Sequence, residues 1–267
     1  MSGGPSSRRC GACARRLYRN GGGVMTAVKR GTGAEVATAE GGGPYFDERL
    51  FVFLRDLAAN NDRGWFEQNR ERYDVLVRDA AFRFIAAFSH PLHRISSHFE
   101  AVPKAVGGSL FRIHRDVRFS HDKSPYKTHV GIHFRHRAAR DAHAPGFYLH
   151  LEPRNCFAGV GIWRPDSETT RRIRQAIAAP RSGWGRAVGA GFAEHLELAG
   201  EQLQRMPRGF EADHPKGEDL RRKSFIGVAE LSDAEVLAPD FLERYDETCR
   251  AGAGLNRFIC RALDLPF

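Results

Sequence analysis

Residues 146–163 read GFYLHLEPRNCFAGVGIW. Apolar and polar side chains alternate over residues 147–152, and a second apolar run covers residues 156–163. Alternation with a period of two is typical of a β-strand with one buried face. Pro153, Arg154 and Asn155 between the two runs are typical of a tight turn. This stretch therefore predicts an antiparallel β-hairpin.

The same alternation occurs upstream of the hairpin. It covers residues 110–114, where Leu110, Arg112 and His114 share one face, and residues 130–134, with Tyr126 and Lys127 at the start of that strand. Four strands with one apolar face predict a mostly antiparallel sheet that is covered on one side.

Helical periodicity flanks the sheet on both sides. A stripe at Phe46, Leu50, Phe53, Leu54 and Leu57 predicts the first helix. The other elements expected from period and capping are as follows: a helix over 65–88 that Pro91 ends or kinks, helices over 166–179 and 184–193, a hairpin over 195–203 around Ala199-Gly200, a strand from Ser224, and helices over 241–249 and 255–263. This order predicts an α+β fold, with N-terminal helices packed on the sheet and further helices at the C-terminal end.

Residues 1–44 differ from the rest of the chain. They contain three glycine-rich stretches and no periodic apolar face, so we expect a disordered basic tail ahead of one globular domain over residues 45–267. Met25 offers an alternative start. Cys10 and Cys13 form a CxxC pair without a second pair, which is weak support for a zinc site.

The charge and cysteine content exclude some classes of protein. The net charge is +9, of which the tail supplies +5 (seven cations, two acids), leaving +4 for the domain. Because more than half of the excess lies in the tail, the basic pI alone does not predict a nucleic-acid-binding fold. Five scattered cysteines are no disulfide framework, and no apolar run is long enough for a membrane span, so we expect a soluble cytoplasmic protein.

No metal, cofactor or nucleotide motif stands out. Phosphate-loop, dinucleotide and zinc-protease signatures are absent, and Gly159-Val160-Gly161 is interpreted as a bulge or a close backbone approach within a strand. His129 and His133 on one strand would have Cα atoms about 13 Å apart, too far to share a zinc ion. His150 could meet one of them from the next strand. We therefore expect exposed strand histidines and no bound metal.

The segment from Arg112 to Lys127 is the candidate site. It contains five cations and two carboxylates within 16 residues. Guanidinium groups fit phosphate and carboxylate oxygens, and loops on a rigid sheet often carry binding residues. The predicted ligand-binding residues are Arg112, Arg115, Arg118, Ser120, Lys123, Tyr126 and Lys127, with Asp116 and Asp122 as candidate catalytic bases. Phe119 and Tyr126 are expected to anchor the loop to the core.

Three motifs carry a resemblance to a known family. They are Asn61-x-Arg63-x-Trp65-Phe66 followed by Tyr73, then residues 115–128 (RDVRFSHDKSPYKT), then Arg205-x-Pro207-x-Gly209-Phe210 followed by Asp213-His214-Pro215. Together they resemble the bacterial and fungal domain of unknown function family 2461, over about residues 45–267. Residues 158–163 depart from it where the resemblance implies three consecutive glycines. The family implies no reaction.

Three functions stay open at this point. The first is a site for a small anion, phosphate or carboxylate, which would be binding or catalytic. The second is a nucleic-acid-binding module that uses the same cations and the basic tail. It is the less favoured, because the sheet lacks interleaved aromatic residues. The third is a structural or interaction protein.

The tail interpretation predicts that residues 1–44 are dispensable for folding. A chain beginning at Tyr45 should melt within about two degrees of the full chain, because the tail carries no apolar face to bury. Thermal denaturation of both chains measures this, and a loss of cooperativity on truncation would show that the tail packs on the domain.

Overall fold

The computed structural model describes residues 44–138 and 143–267. The expectations for the tail, including Met25 and the pair Cys10 and Cys13, concern residues outside these ranges. Three described cysteines, Cys156, Cys249 and Cys260, are buried and form no disulfide.

Five strands form one antiparallel sheet in the order β1-β2-β3-β5-β4. The strands are β1 (Val130–Arg135), β2 (Gly146–Leu151), β3 (Cys156–Ile162), β4 (Glu197–Ala199) and β5 (Phe225–Leu231). Strands β2 and β3 pair in a hairpin with Tyr148 opposite Gly159, so the predicted hairpin is confirmed. The helices are α1 (Glu48–Ala59), α2 (Arg63–Gln68), α3 (Arg70–Tyr73), a π-helical turn (Asp74–Asp79), α4 (Ala80–Ile95), α5 (Ser167–Ala178), α6 (Trp184–Ala187), α7 (Ala190–Ala193), α8 (Gly217–Leu220), α9 (Asp233–Val236) and α10 (Phe241–Ala262).

One face of the sheet lies beneath the helices. Ile132 of β1, Leu149 of β2 and Val160 of β3 point to this face. They belong to a single buried cluster together with the apolar faces of α1, α4 and α10. The predicted stripe of α1 is buried in this cluster, and Asp47 caps the helix by accepting a hydrogen bond from the backbone N–H of Arg49. The predicted α+β class, with helices at the C-terminal end, is confirmed. Among the described helices, none has the length and hydropathy to cross a bilayer.

The helical region after α1 differs from the single helix expected over 65–88. Asp62 caps an earlier start by accepting from the backbone N–H of Trp65. The chain leaves regular helical geometry at Asn69, passes through the π-helical turn and continues past Pro91 to Ile95. Pro91 therefore does not end the helix, although it cannot donate a backbone hydrogen bond.

The last helix is continuous where a break was expected between residues 249 and 255. A Cβ atom added to Gly252 would lie 2.7 Å from Cγ2 of Val160. The glycine therefore allows α10 to lie close against β3, and it does not mark a helix end. A glycine in a helical sequence is compatible with a helix end and with close packing against a neighbour, and only the packing partner distinguishes the two.

Two further expectations were wrong between residues 184 and 203. Instead of one helix over 184–193, α6 and α7 are separated at Gly189, whose backbone is extended (ψ −160°). Instead of a hairpin over 195–203, β4 pairs with β5, placing Glu197 opposite Val228. The partner of β4 lies about thirty residues further on, where no local turn signal indicates it.

Gly161 in β3 confirms the expected close approach. Gly161 has a φ of 124°, and a Cβ atom there would lie 2.1 Å from the carbonyl oxygen of Phe225 on β5. A side chain at this position would separate β3 from β5.

Gly161→Ala should therefore destabilise the protein by roughly 3 kcal/mol or more, through backbone strain and overpacking. Gly185→Ala is the control, because no heavy atom lies within 4 Å of an added Cβ atom in helix α6. Urea denaturation should give a near-unchanged midpoint for the control. Equal losses in both variants would contradict this account of β3.

Candidate functional site

The candidate segment is an irregular loop closed at its base. The backbone N–H of Arg115 donates to O of Pro125 (2.8 Å), and that of Lys127 donates to O of Ile113 (2.7 Å). His114 and Tyr126 form a single bridge, as do Leu110 and Ile132. The expected strand over 110–114 is therefore reduced to two isolated bridges, because the chain leaves the edge of β1 after Phe111. Likewise β1 begins at Val130, and not at Tyr126.

Asn61 attaches this loop to the N-terminal helices. Its Oδ1 accepts from the backbone N–H of Tyr126 (3.0 Å), and its Nδ2 donates to O of the same residue (2.9 Å). The ring of Tyr126 stacks on Phe66 at 4.1 Å between centroids and is only 3% exposed. The expectation that Tyr126 anchors the loop is confirmed. The first two motifs of the sequence thus contact each other directly.

Phe119 does not anchor the loop, contrary to expectation. Its side chain is 95% exposed, and the guanidinium carbon of Arg118 lies 5.8 Å from its ring centroid. Hydrogen bonds within the loop hold its tip without a contribution from Phe119. Nζ of Lys123 and the backbone N–H of Ser120 both donate to O of Val117. Polar closure of the tip leaves the aromatic side chain pointing outward.

Two ion pairs hold the carboxylates of the loop. Arg115 Nη1 lies 2.5 Å from Asp122 Oδ2, and Arg118 Nη2 lies 2.6 Å from Asp116 Oδ2. Hydrogen bonds from Ser124, and then from Arg115, hold the pKa of Asp122 well below its usual value. Hydrogen bonds from Arg118 lower the pKa of Asp116 to about 2. Carboxylates with such low pKa values are weak bases and are poorly suited to accept protons near neutral pH. The pKa values therefore argue against the prediction that Asp116 or Asp122 is a catalytic base, which stays untested.

The predicted site residues lie in three groups. Arg115 with Asp122, and Arg118 with Asp116, form the paired loop tip, together with Ser120 and Lys123. Tyr126 points into the core. Arg112 and Lys127 lie at the base of the loop beside the sheet, where Nζ of Lys127 donates to O of Arg112 (2.8 Å) and lies 5.4 Å from the ring centroid of Phe111.

Beside Lys127, the second face of the sheet carries a polar cluster. The rings of His129 and His150 stack with centroids 4.4 Å apart. His150 Nδ1 lies 3.1 Å from the hydroxyl of Tyr148, and its Nε2 lies 3.5 Å from Oε2 of Glu152. Tyr148 and Glu152 were missed as functional candidates. Their signal was present, because residues 148, 150 and 152 are alternate polar positions of one strand.

The sequence predicted that the histidines of this face are exposed, and this prediction was wrong. His133 and His150 are only 7% and 8% exposed. Phe111, from the segment that leaves the sheet edge, covers this side, with its ring centroid 6.1 Å from that of His133 and 6.0 Å from that of Tyr148. In residues 44–138 and 143–267, no three histidine, cysteine or acidic side chains are placed to hold a metal ion.

Burial shifts the ionisation of this cluster. It lowers the pKa of Lys127 to about 8, with a further contribution from the charge of Arg112. It also lowers the pKa of His129 to about 3, assisted by His150 and Lys127, so this imidazole is neutral at physiological pH. Burial raises the pKa of Tyr148, whose phenol stays protonated. Titratable groups with such shifts are enriched at functional sites.

Comparison with known proteins identifies the family. The model of the family described as conserved hypothetical protein (DUF2461) matches residues 49–258. The chain belongs to DUF2461. This confirms the resemblance expected from the three motifs. No curated protein and no solved structure matches the chain.

Contacts in this member of DUF2461 explain two of the motifs and part of the third. Asn61 and Phe66 hold Tyr126, which joins the first motif to the second. In the third, Gly209 has a φ of 88°, a conformation that favours glycine. His214 Nδ1 accepts from the backbone N–H of Lys216 (3.0 Å), which orders the turn before α8.

The Asn61 attachment gives a stability prediction. Asn61→Ala should cost about 2 kcal/mol, because two backbone groups of Tyr126 lose their partner. The adjacent Asn60→Ala is the matched control, since Asn60 only donates to O of Asp56 at an exposed helix end. Its cost should stay within about 0.5 kcal/mol. Equal costs for the two variants in urea denaturation would show that the attachment contributes nothing.

Proposed function

We propose that the protein binds a small anion, phosphate or carboxylate, at Arg112 and Lys127 beside the stacked pair His129–His150. The observation that carries this proposal is the state of Lys127. Lys127 is a half-buried residue beside a second cation, Arg112, and no carboxylate of the described chain lies within ion-pair distance of its ammonium group.

An unpaired cation in this setting is costly. Removing an ammonium group from water is unfavourable unless a partner compensates it. The lowered pKa of Lys127 expresses that cost, and an anion would offset it. One of the three donors of Lys127 is used on O of Arg112, which leaves two for a ligand.

The surroundings favour a small ligand over a long polyanion. Arg115 and Arg118, the other arginines of the segment, are neutralised by Asp122 and Asp116. Nucleic-acid backbones are usually bound by several unpaired cations along an open surface. Neutral His129 adds a ring N–H as a hydrogen-bond donor. Nucleic-acid binding stays an untested alternative.

Lys127→Met tests the proposal. Calorimetric titration with inorganic phosphate at pH 7 should show saturable binding to wild-type protein and a loss of at least about tenfold in affinity in the variant. Thermal stability should not fall, because the variant removes a charge whose burial is unfavourable. The same reasoning predicts that wild-type stability rises as pH increases from about 8 to 10.5, where folded Lys127 has lost its proton and unfolded Lys127 has not.

Lys104→Met is the matched control, because Lys104 is exposed and outside the site. Its phosphate affinity should equal that of wild type. Raising the salt concentration should weaken phosphate binding only slightly, whereas a nucleic acid held by several phosphates would lose affinity steeply. Absence of phosphate and acetate binding to wild type would rule out the anion site and leave a structural role.

A further inference from the structure

Three polar side chains lie in a row on the second face of the sheet. The hydroxyl of Tyr148 lies 3.1 Å from His150 Nδ1. Glu152 Oε2 lies 3.5 Å from His150 Nε2, a buried atom that makes no hydrogen bond within the described residues. Tyr148 and His150 are two apart in β2 and therefore project from the same face, and Glu152 lies one residue beyond the end of that strand. A hydroxyl, an imidazole and a carboxylate in this order match the arrangement of a proton donor, a proton shuttle and an orienting anion.

The sheet is built to hold Tyr148 in this position. A Cβ atom on Gly131 would lie 2.8 Å from the hydroxyl oxygen of Tyr148. On the other neighbouring strand, a Cβ atom on Gly159 would lie 3.6 Å from Cβ of Tyr148. Gly131 therefore lets the tyrosine ring lie against the sheet, whereas the distance at Gly159 is an ordinary van der Waals contact. This placement fixes the hydroxyl beside Phe111, which contacts Lys127.

The other end of the chain is fixed as well. Nδ2 of Asn155 donates to Oε2 of Glu152. Burial raises the pKa of Glu152, but the neighbouring His150 ring and the hydrogen bond from Asn155 outweigh it and leave that pKa below its usual value. Glu152 is therefore ionised at neutral pH, and it can stabilise a positive charge on His150.

We propose that Tyr148, His150 and Glu152 form a proton relay, which makes the anion site a catalytic site for a small phosphate or carboxylate compound. Tyr148 is the catalytic residue, while His150 and Glu152 are positioning residues that act through it. This inference rests on the anion site at Arg112 and Lys127.

The step balances as a proton transfer. The O–H bond of Tyr148 breaks as its proton passes to an oxygen of the bound compound on which negative charge develops. The phenolate oxygen takes the proton from Nδ1 of the His150 imidazolium. The imidazole is left neutral, with its remaining proton on Nε2 facing Glu152, and water later returns a proton to the relay.

Two rings stack on that of His150: the neutral imidazole of His129 at 4.4 Å and Phe157 at 4.6 Å between centroids. The charges of Lys127 and Arg115 act on His129 from the base of the loop. An anion bound among these cations reduces their repulsion of a positive charge on the relay, so anion binding and proton uptake should be coupled.

Proton uptake on anion binding tests the relay. The probe is sulfate, which does not titrate near neutral pH, and calorimetry at pH 7 in two buffers of different ionisation enthalpy gives the protons taken up per sulfate bound. Lys127, with a pKa of about 8, would contribute only about a tenth of a proton. Wild-type protein should take up several times that amount.

The variants distinguish the relay from simple binding. Tyr148→Phe and His150→Gln should bind sulfate with less than about tenfold loss of affinity and should lose most of the proton uptake. Tyr73→Phe, which removes a hydroxyl outside the site, should match wild type. If Tyr148→Phe does not fold, Glu152→Gln gives the same test, since it keeps the shape and removes the charge.

Two results would overturn the inference in different ways. Sulfate binding with proton uptake unchanged in Tyr148→Phe and His150→Gln would reject the relay and leave the anion site standing. No sulfate binding by wild-type protein would reject the anion site and the relay together.

Discussion

The close contact between helix α10 and the centre of the sheet is the constraint on which the rest of the structure depends. Gly252 lets the helix lie against Val160 of β3, and the helix also packs on α4. This contact commits one face of the sheet to the apolar core. Because side chains alternate along a strand, the other face receives the intervening residues, and these include the polar cluster of β1 and β2.

That second face is a candidate site because the loop of the central motif lies beside it. Asn61 and Phe66 fix Tyr126, and the next residue in the chain is Lys127. The attachment therefore determines where an ammonium group meets His129 and His150. The neutral imidazole of His129 beside a cation without a carboxylate partner favours a candidate binding site, whereas a buried structural network would pair its charges.

Elements with local signals could be predicted from the sequence. Asp166 was expected to cap a helix, and it accepts from the backbone N–H of Thr169 at the start of α5. The β2–β3 hairpin was likewise indicated by its own alternation and turn. Elements that depend on distant partners could not be predicted in this way. Gly252 meets a strand 92 residues away, and β4 pairs with a strand outside its own neighbourhood.

The candidate site shows the same division. Charge density located the segment, and Arg112 and Lys127 were among the residues named. It did not show that Asp122 would neutralise Arg115, since that pair depends on how the loop folds. Nor did it indicate Tyr148 and Glu152, which join the candidate site because the sheet places β2 beside the loop.

The central claim is that Lys127 is a half-buried cation without a carboxylate partner and that it binds an anion. The most direct measurement is an NMR titration of protein with ¹³Cε-labelled lysine, with and without saturating sulfate, in which the other lysines serve as internal controls. The account predicts a pKa of about 8 for Lys127 in the free protein and an upward shift when sulfate is bound. A pKa near 10.5 that sulfate does not change would contradict it.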